Sequence, residues 1–186
     1  MDLILFGIQG SGKGTQAKRL AAEKGFTIFE AGGELRKIAA SGSVLGNAVK
    51  SFIDVGKLVP HEIIMSVLKT AIEKHPKEEH LLFDGVPRDE NQMRDFNAIM
   101  QKLGRDFRCI HIRLDPEEGV RRILKRAEIE GRADDASEET IRKRMGLFTE
   151  KTLPVIEAYV AQGKVTEIDG MGNPEEIYKR MVAILS

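Results

Sequence analysis

The segment Gly7-Ile8-Gln9-Gly10-Ser11-Gly12-Lys13-Gly14-Thr15 constrains the fold more than any other stretch of this chain. It follows the apolar run Leu3-Ile4-Leu5-Phe6 and leads into a helical pattern from Thr15 to about Glu23. Strand, glycine-rich turn, lysine and helix form the layout of a phosphate-binding loop. Glycines let the backbone curl until several amide N–H groups face one anion. The helix that starts there adds its unpaired N–H groups and the positive end of its dipole. Lys13 supplies a mobile charge for the outer phosphates. Gly14 stands where the general pattern has a Ser or Thr for the metal, and Thr15 comes one residue later. The expected ligand is a nucleoside polyphosphate.

A loop of this kind needs a parallel sheet behind it, and the remaining pattern supplies one. Apolar runs alternate with helical periodicity, the arrangement of an α/β sheet wrapped by helices. The strands are expected at 2–6, 27–29, 80–83, 108–114 and 164–168. Continuous apolar runs at Leu3–Phe6 and Leu81–Phe83 predict central strands covered on both faces, and the more polar strand of Val165 and Ile168 predicts an edge. A helix is expected over 60–75, with Pro60 in its first turn and Ile63, Ile64, Val67, Leu68, Ala71 and Ile72 on one face. The last helix has Asn173 as N-cap, Pro174 at its first position and Glu176 reaching back. A long helical pattern from Glu138 to Gln162 contains Pro154, which predicts a kink or break there. Residues 30–59 read as two short helices, and 127–137 as polar and turn-rich.

The 186 residues fit one domain, and 31% charged with 41% apolar residues is ordinary for a soluble globular protein. A formal net charge of zero argues against a general polyanion binder, so phosphate binding has to be a local arrangement and no nucleic acid partner is expected. The lone Cys109 excludes an internal disulfide and a cysteine zinc cluster, and it suits a reducing compartment. The chain starts on its first strand rather than on a leader, and no apolar run reaches membrane-spanning length. The expectation is a cytoplasmic protein without membrane contact.

Asp84 follows a buried strand, so its carboxylate emerges at the strand's C-terminal end, the edge at which parallel α/β sheets bind ligands. There it can hold the water shell of a nucleotide-bound magnesium ion. Pro87 stiffens the next turn and directs Arg88 into the same cleft, where a planar guanidinium suits phosphate. Further arginines follow at Arg122, Arg126, Arg132 and Arg144, of which Arg122 and Arg126 share a helix face.

The motifs GIQGSGKGTQ (7–16), GGELR (32–36), GKLVP (56–60), DGVPRDENQ (84–92), RILKR (122–126), GRADD (131–135), EETIRKR (138–144) and EIDGMGNPEE (167–176) span the whole chain. In that order and spacing the sequence resembles the adenylate kinases, within the wider nucleoside monophosphate kinase family. The resemblance implies a P-loop NTPase fold with a five-stranded parallel sheet. It divides the chain into core (1–29, 60–119 and 137–186), a monophosphate-binding flap (30–59) and a short lid (120–136). It implies magnesium-dependent, reversible transfer of phosphate from ATP to AMP to give two ADP, in adenine nucleotide homeostasis, by a monomer without zinc.

The same resemblance implies residue roles. Lys13 would bridge the donor phosphates, cradled by Gly10, Ser11, Gly12, Gly14 and Thr15. Arg122 and Gly172 would hold the donor nucleoside. Arg36 and Arg88 would hold the acceptor phosphate, and Gln92 its base, with Ala31, Lys57, Val59 and Gly85 around it. Arg126, Arg132 and Arg144 would stabilise the transferring group, and closure of flap and lid would exclude water, as in adenylate kinases. The family's usual Thr, Asp and Phe are replaced by Ala31, Gly33 and Val86. That motivates an alternative expectation of UMP, CMP or broad acceptor specificity. A GTPase switch is disfavoured because the guanine-reading NKxD sequence is missing and the arginine set would have no purpose.

Overall fold

The computed structural model describes residues 1–130 and 137–185. In chain order the elements are β1 (Asp2–Phe6), α1 (Lys13–Lys24), β2 (Thr27–Glu30), α2 (Ala31–Ala39), α3 (Val44–Asp54), α4 (His61–Glu73), β3 (Leu81–Asp84), α5 (Glu90–Lys102), β4 (Phe107–Arg113), α6 (Pro116–Glu130), α7 (Glu138–Leu147), α8 (Leu153–Ala161), β5 (Val165–Asp169) and α9 (Pro174–Ala183). The strands form one parallel sheet in the order β2-β3-β1-β4-β5. This is the α/β architecture expected, with β1 central and the polar strand β5 at an edge.

Alternation along each strand divides the core into two layers, because successive side chains leave a sheet on opposite faces. Ile4, Phe6, Phe29, Leu81, Phe83, Phe107 and Cys109 pack on one side against α4, α5 and α8. Leu3, Leu5, Leu82, Ile110, Ile112 and Ile168 pack on the other against α1 and α9. Edge-on aromatic contacts run from Phe83 to Phe96, from Phe96 to Phe107 and from Phe107 to Tyr159, with ring centroids 5.1, 5.1 and 5.5 Å apart. These offset geometries suit the ring quadrupoles. A third, smaller cluster of Ile8, Val120, Ile123, Ile141 and Met145 fixes α6 and α7 beside the glycine-rich loop.

The structure moves several expected boundaries. Asp84 closes β3 rather than following it, and β4 ends at Arg113. Pro60 caps α4 from outside instead of sitting in its first turn. The long pattern over 138–162 does break, but five residues of π-helix (Phe148–Thr152) come first and Pro154 falls in the first turn of α8. A proline has no N–H for the preceding turn and crowds its carbonyl, so the widened turn absorbs the defect before the ring is reached. The turn-rich reading of 127–137 is corrected for 127–130, where α6 continues to Glu130. Val120 and Ile123 anchor that helix, and extension through Arg126, Ala127 and Glu128 adds good helix formers to an existing nucleus. The asparagine cap of α9 is present with its full reciprocal box, Asn173 Oδ1 accepting from Glu176 N and Glu176 Oε2 from Asn173 N. No helix among the described residues is long and apolar enough to cross a membrane.

Candidate active site

The site grows from the loop between β1 and α1. Gly10 and Gly12 adopt the left-handed conformation, with φ of 83° and 91°, that a tightly coiled loop requires. Lys13 opens α1, and its Nζ donates to the carbonyl oxygens of Gly7 at 2.7 Å and Ile8 at 3.0 Å. The ammonium is thus parked across the mouth of its own loop. Burial lowers its pKa to about 8; Asp84 pulls it upward, while Arg88 and Arg126 push it further down. Ser11 is fully buried, so the loop presents its backbone rather than its hydroxyl to the cavity.

Asp84 comes off the end of β3 beside this loop and is 8% exposed. Burial raises its pKa, Lys13 lowers it, and Glu30, its register partner on β2, raises it. A Cβ at Gly14 would stand 3.8 Å from Asp84 Oδ2, so glycine at that position leaves the carboxylate open to the loop.

Beyond Asp84, Arg88 is locked by its own turn. Its Nε donates to Gly85 O at 2.7 Å, its N–H donates to Gln92 Oε1 at 2.9 Å, and its carbonyl accepts from Thr152 Oγ1 at 2.8 Å. Burial and the neighbouring Arg144 and Arg36 lower the Arg88 pKa, while Asp84 raises it. The bond to Gln92 commits its amide oxygen and leaves the NH2 as donor toward the cavity. Gln92 itself sits in the first turn of α5 under the Asp89 cap, whose Oδ1 accepts from Gln92 N at 2.8 Å.

On the opposite wall Arg122 is held by Glu118 and by the carbonyls of Gly170 and Gly172, at 2.6, 3.1 and 3.4 Å. Hydrogen bonds from Arg121 and then Arg122 depress the Glu118 carboxyl to about 2. Arg144 of α7 donates from Nη2 to Ile53 O at 3.2 Å, which ties α7 to the end of α3.

The phosphate loop, Asp84, Arg88, Gln92, Arg122 and Arg144 face one cavity of about 570 Å³. Its lining contains Gly10, Gly12, Lys13, Gly14, Thr15, Ala31, Arg36, Lys57, Val59, Asp84, Gly85, Arg88, Gln92, Arg122, Arg126, Arg144 and Gly172. Of the residues expected from sequence, Ser11 stays outside that lining, and Arg132 lies outside the described residues. Among the described residues the lining carries eight basic side chains and two carboxylates, Glu30 and Asp84, on a chain of zero net charge. Val86 does not line the cavity but packs in the core, 1% exposed, so its difference from phenylalanine acts on packing rather than on ligand contact.

Sequence reasoning left out Glu30 and Thr152. The signal for Glu30 was present: it is a carboxylate at a strand's C-terminal end, the same placement that singled out Asp84. Thr152 carried no such mark, because only the π-helical stretch brings its hydroxyl to Arg88.

A glycine-rich loop at the central strand of a parallel sheet, opening into a cationic cleft, defines a P-loop nucleotide-binding protein. The sequence of residues 5–164 matches the family model described as "Adenylate kinase". Curated adenylate kinases agree along nearly the whole chain. That of Thermus thermophilus is 40% identical over 184 residues, covering 98% of this chain and 96% of the relative. That of Maricaulis maris is 37% identical over 186 residues (100% and 98%), and that of Bacteroides fragilis 33% over 180 (96% and 95%). The chain belongs to the adenylate kinase family and is a phosphotransferase.

Proposed function

We propose that the protein transfers the terminal phosphoryl group of ATP to AMP, reversibly, giving two ADP. The observation that carries this reading is the single cavity. The same cavity is lined by the phosphate loop and Arg122 and by Arg36, Arg88 and Gln92. Two nucleotides laid along it meet with their phosphates between Lys13, Arg88, Arg126 and Arg144. Arg132 joins this set by its motif.

Phosphoryl transfer asks little covalent work of a protein. The nucleophile and leaving group must be aligned, and charge on the equatorial oxygens must be met by preorganised donors. Lys13 leaves the Gly7 and Ile8 carbonyls and swings onto the donor phosphates. Arg88, held at its Nε and backbone by Gly85, Gln92 and Thr152, offers its remaining N–H groups to the acceptor phosphate. Arg122, braced by Glu118, lies flat against the donor base. The Gln92 NH2 donates to a ring-nitrogen acceptor, which adenine supplies and which the N3–H of uracil does not.

The donor set fits magnesium carried by the nucleotide. Among the described residues no three His, Cys, Asp or Glu side chains cluster as a metal cage, whereas Asp84 alone faces the loop across Gly14, as a hydrated ion requires. Bound there, magnesium would supply charge neutralisation on the donor phosphates. The chain works as a cytoplasmic monomer, with residues 30–59 closing over the nucleotides; part of the lid expected over 120–136 lies outside the described residues. A coupled assay with AMP, UMP, CMP and GMP at fixed ATP tests the reading. AMP should be turned over at least tenfold more efficiently than UMP; a preference for UMP, or no ADP from ATP plus AMP, overturns it.

A further inference from the structure

Glu30 lines the active-site cavity from the end of β2, in register with Asp84 on β3, yet it belongs to neither the phosphate loop nor the arginine set. Its Oε1 accepts from Arg36 Nη2 at 2.9 Å. The two side chains are 44% and 38% exposed, and a pair so wet adds little to folding stability. Its consequence is the place of the guanidinium. Arg36 and Arg144 both lie close enough to Arg88 to repel its charge, in a lining already crowded with cations. A long arginine side chain with no anchor would swing away from that field. Glu30 restrains it by one nitrogen and leaves other N–H groups of the guanidinium for a ligand.

Room for this anchor comes from Gly33. A Cβ at position 33 would stand 3.2 Å from Glu30 Oε2 and 3.3 Å from its carboxyl carbon. A longer acidic side chain built there would claim the volume that the Glu30 carboxylate now fills, and would reach Arg36 from the same direction. Glu30 and Gly33 are thus neighbours, and a side chain at 33 would push the carboxylate aside by a few tenths of an ångström.

We propose that Glu30 is a positioning residue that presets Arg36 for the acceptor phosphate, and that glycine at 33 leaves its carboxylate uncrowded. This rests on the reading that Arg36 grips that phosphate. The test is a set of variants assayed for AMP KM, ATP KM and kcat, with AMP dissociation constants from calorimetry and folding checked by thermal melts. Glu30→Ala should raise the AMP KM and dissociation constant five- to tenfold, with ATP KM and saturated kcat within twofold of the native chain. Gly33→Asp placed on Glu30→Ala should recover at least threefold of AMP affinity, while the same change in the native chain should recover none. Arg36→Ala, measured in parallel, separates the two levels of the argument. If it weakens AMP and Glu30→Ala does not, or if Glu30→Ala tightens AMP, the positioning role is wrong. If neither weakens AMP, the assignment of Arg36 itself falls.

Discussion

At the scale of single residues, the site works by holding charges where water would otherwise scatter them. Arg88 shows how: its Nε bond to Gly85 O holds the guanidinium, while bonds with Gln92 and Thr152 fix the backbone that carries it. Removing one preorganised donor from a transition state costs about a hundredfold or more in rate. Arg88→Ala and Arg126→Ala should each lower kcat by about that factor with unchanged melting behaviour, and Lys13→Ala by at least as much. Steady-state kinetics on the purified variants check this. Lys13 also makes a prediction about pH. Burial lowers its pKa to about 8, and the protonated form is the one that binds phosphate. Since kcat/KM reports the free enzyme, kcat/KM for ATP should fall as pH rises through about 8. With ATP bound, its phosphates favour the charged ammonium, so the fall in kcat should lie at higher pH. A pH profile in which both limbs coincide would contradict the parked-lysine picture.

At the scale of elements, the approach of α6 to the phosphate loop is set by Gly119. A Cβ there would meet Met145 Cε at 2.8 Å and Gln9 O at 2.9 Å, and a Cβ at Gly10 would meet Gly119 O at 2.6 Å. Replacing a helical glycine with alanine ordinarily stabilises by up to about 1 kcal/mol. Here the new methyl would run into loop backbone, and overpacking of that kind costs about 1–3 kcal/mol. The clash outweighs the propensity. Gly119→Ala should lower stability by about 1–2 kcal/mol in urea titration and weaken ATP binding with it. The π-helical stretch before α8 plays a comparable part on the other side of the cleft. Thr152→Val removes the hydroxyl that reaches the Arg88 carbonyl and should cost about 1 kcal/mol, a typical net hydrogen bond. It should also raise the AMP KM.

At the scale of the molecule, two packed layers cover the sheet, α2 joins the core through Ala31 and Leu35, and Arg144 ties the end of α3 to α7 through Ile53 O. Phosphoryl transfer between two nucleotides requires a site that excludes water once both are bound. An inhibitor made of two adenosines joined through five phosphates should bind with one molecule per chain and protect all of it. At a thousandfold excess over its Kd the linkage amounts to about 4 kcal/mol, visible as a large rise in melting temperature. Saturation calorimetry with separate nucleotides should find two sites per chain; one site would contradict the bisubstrate cavity.

Periodicity and the glycine-rich loop were enough to place every strand within one or two residues, and the motifs marked nearly all of the cavity lining. That much is local chemistry: a loop of glycines has few folds open to it, and a carboxylate at a strand end can point to one edge only. What the chain order could not express is which charges share a space. Arg105 closing on Asp2 beneath the sheet, at 2.7 Å and 103 residues away, Thr152 bonding to Arg88, Glu30 holding Arg36 and Gly119 pressed against the loop arise from packing of separate segments. The sequence by itself determined the class of fold and the phosphate chemistry, because both depend on near neighbours. Only the tertiary structure decided how each cation is aimed, since that depends on partners the fold brings from elsewhere in the chain.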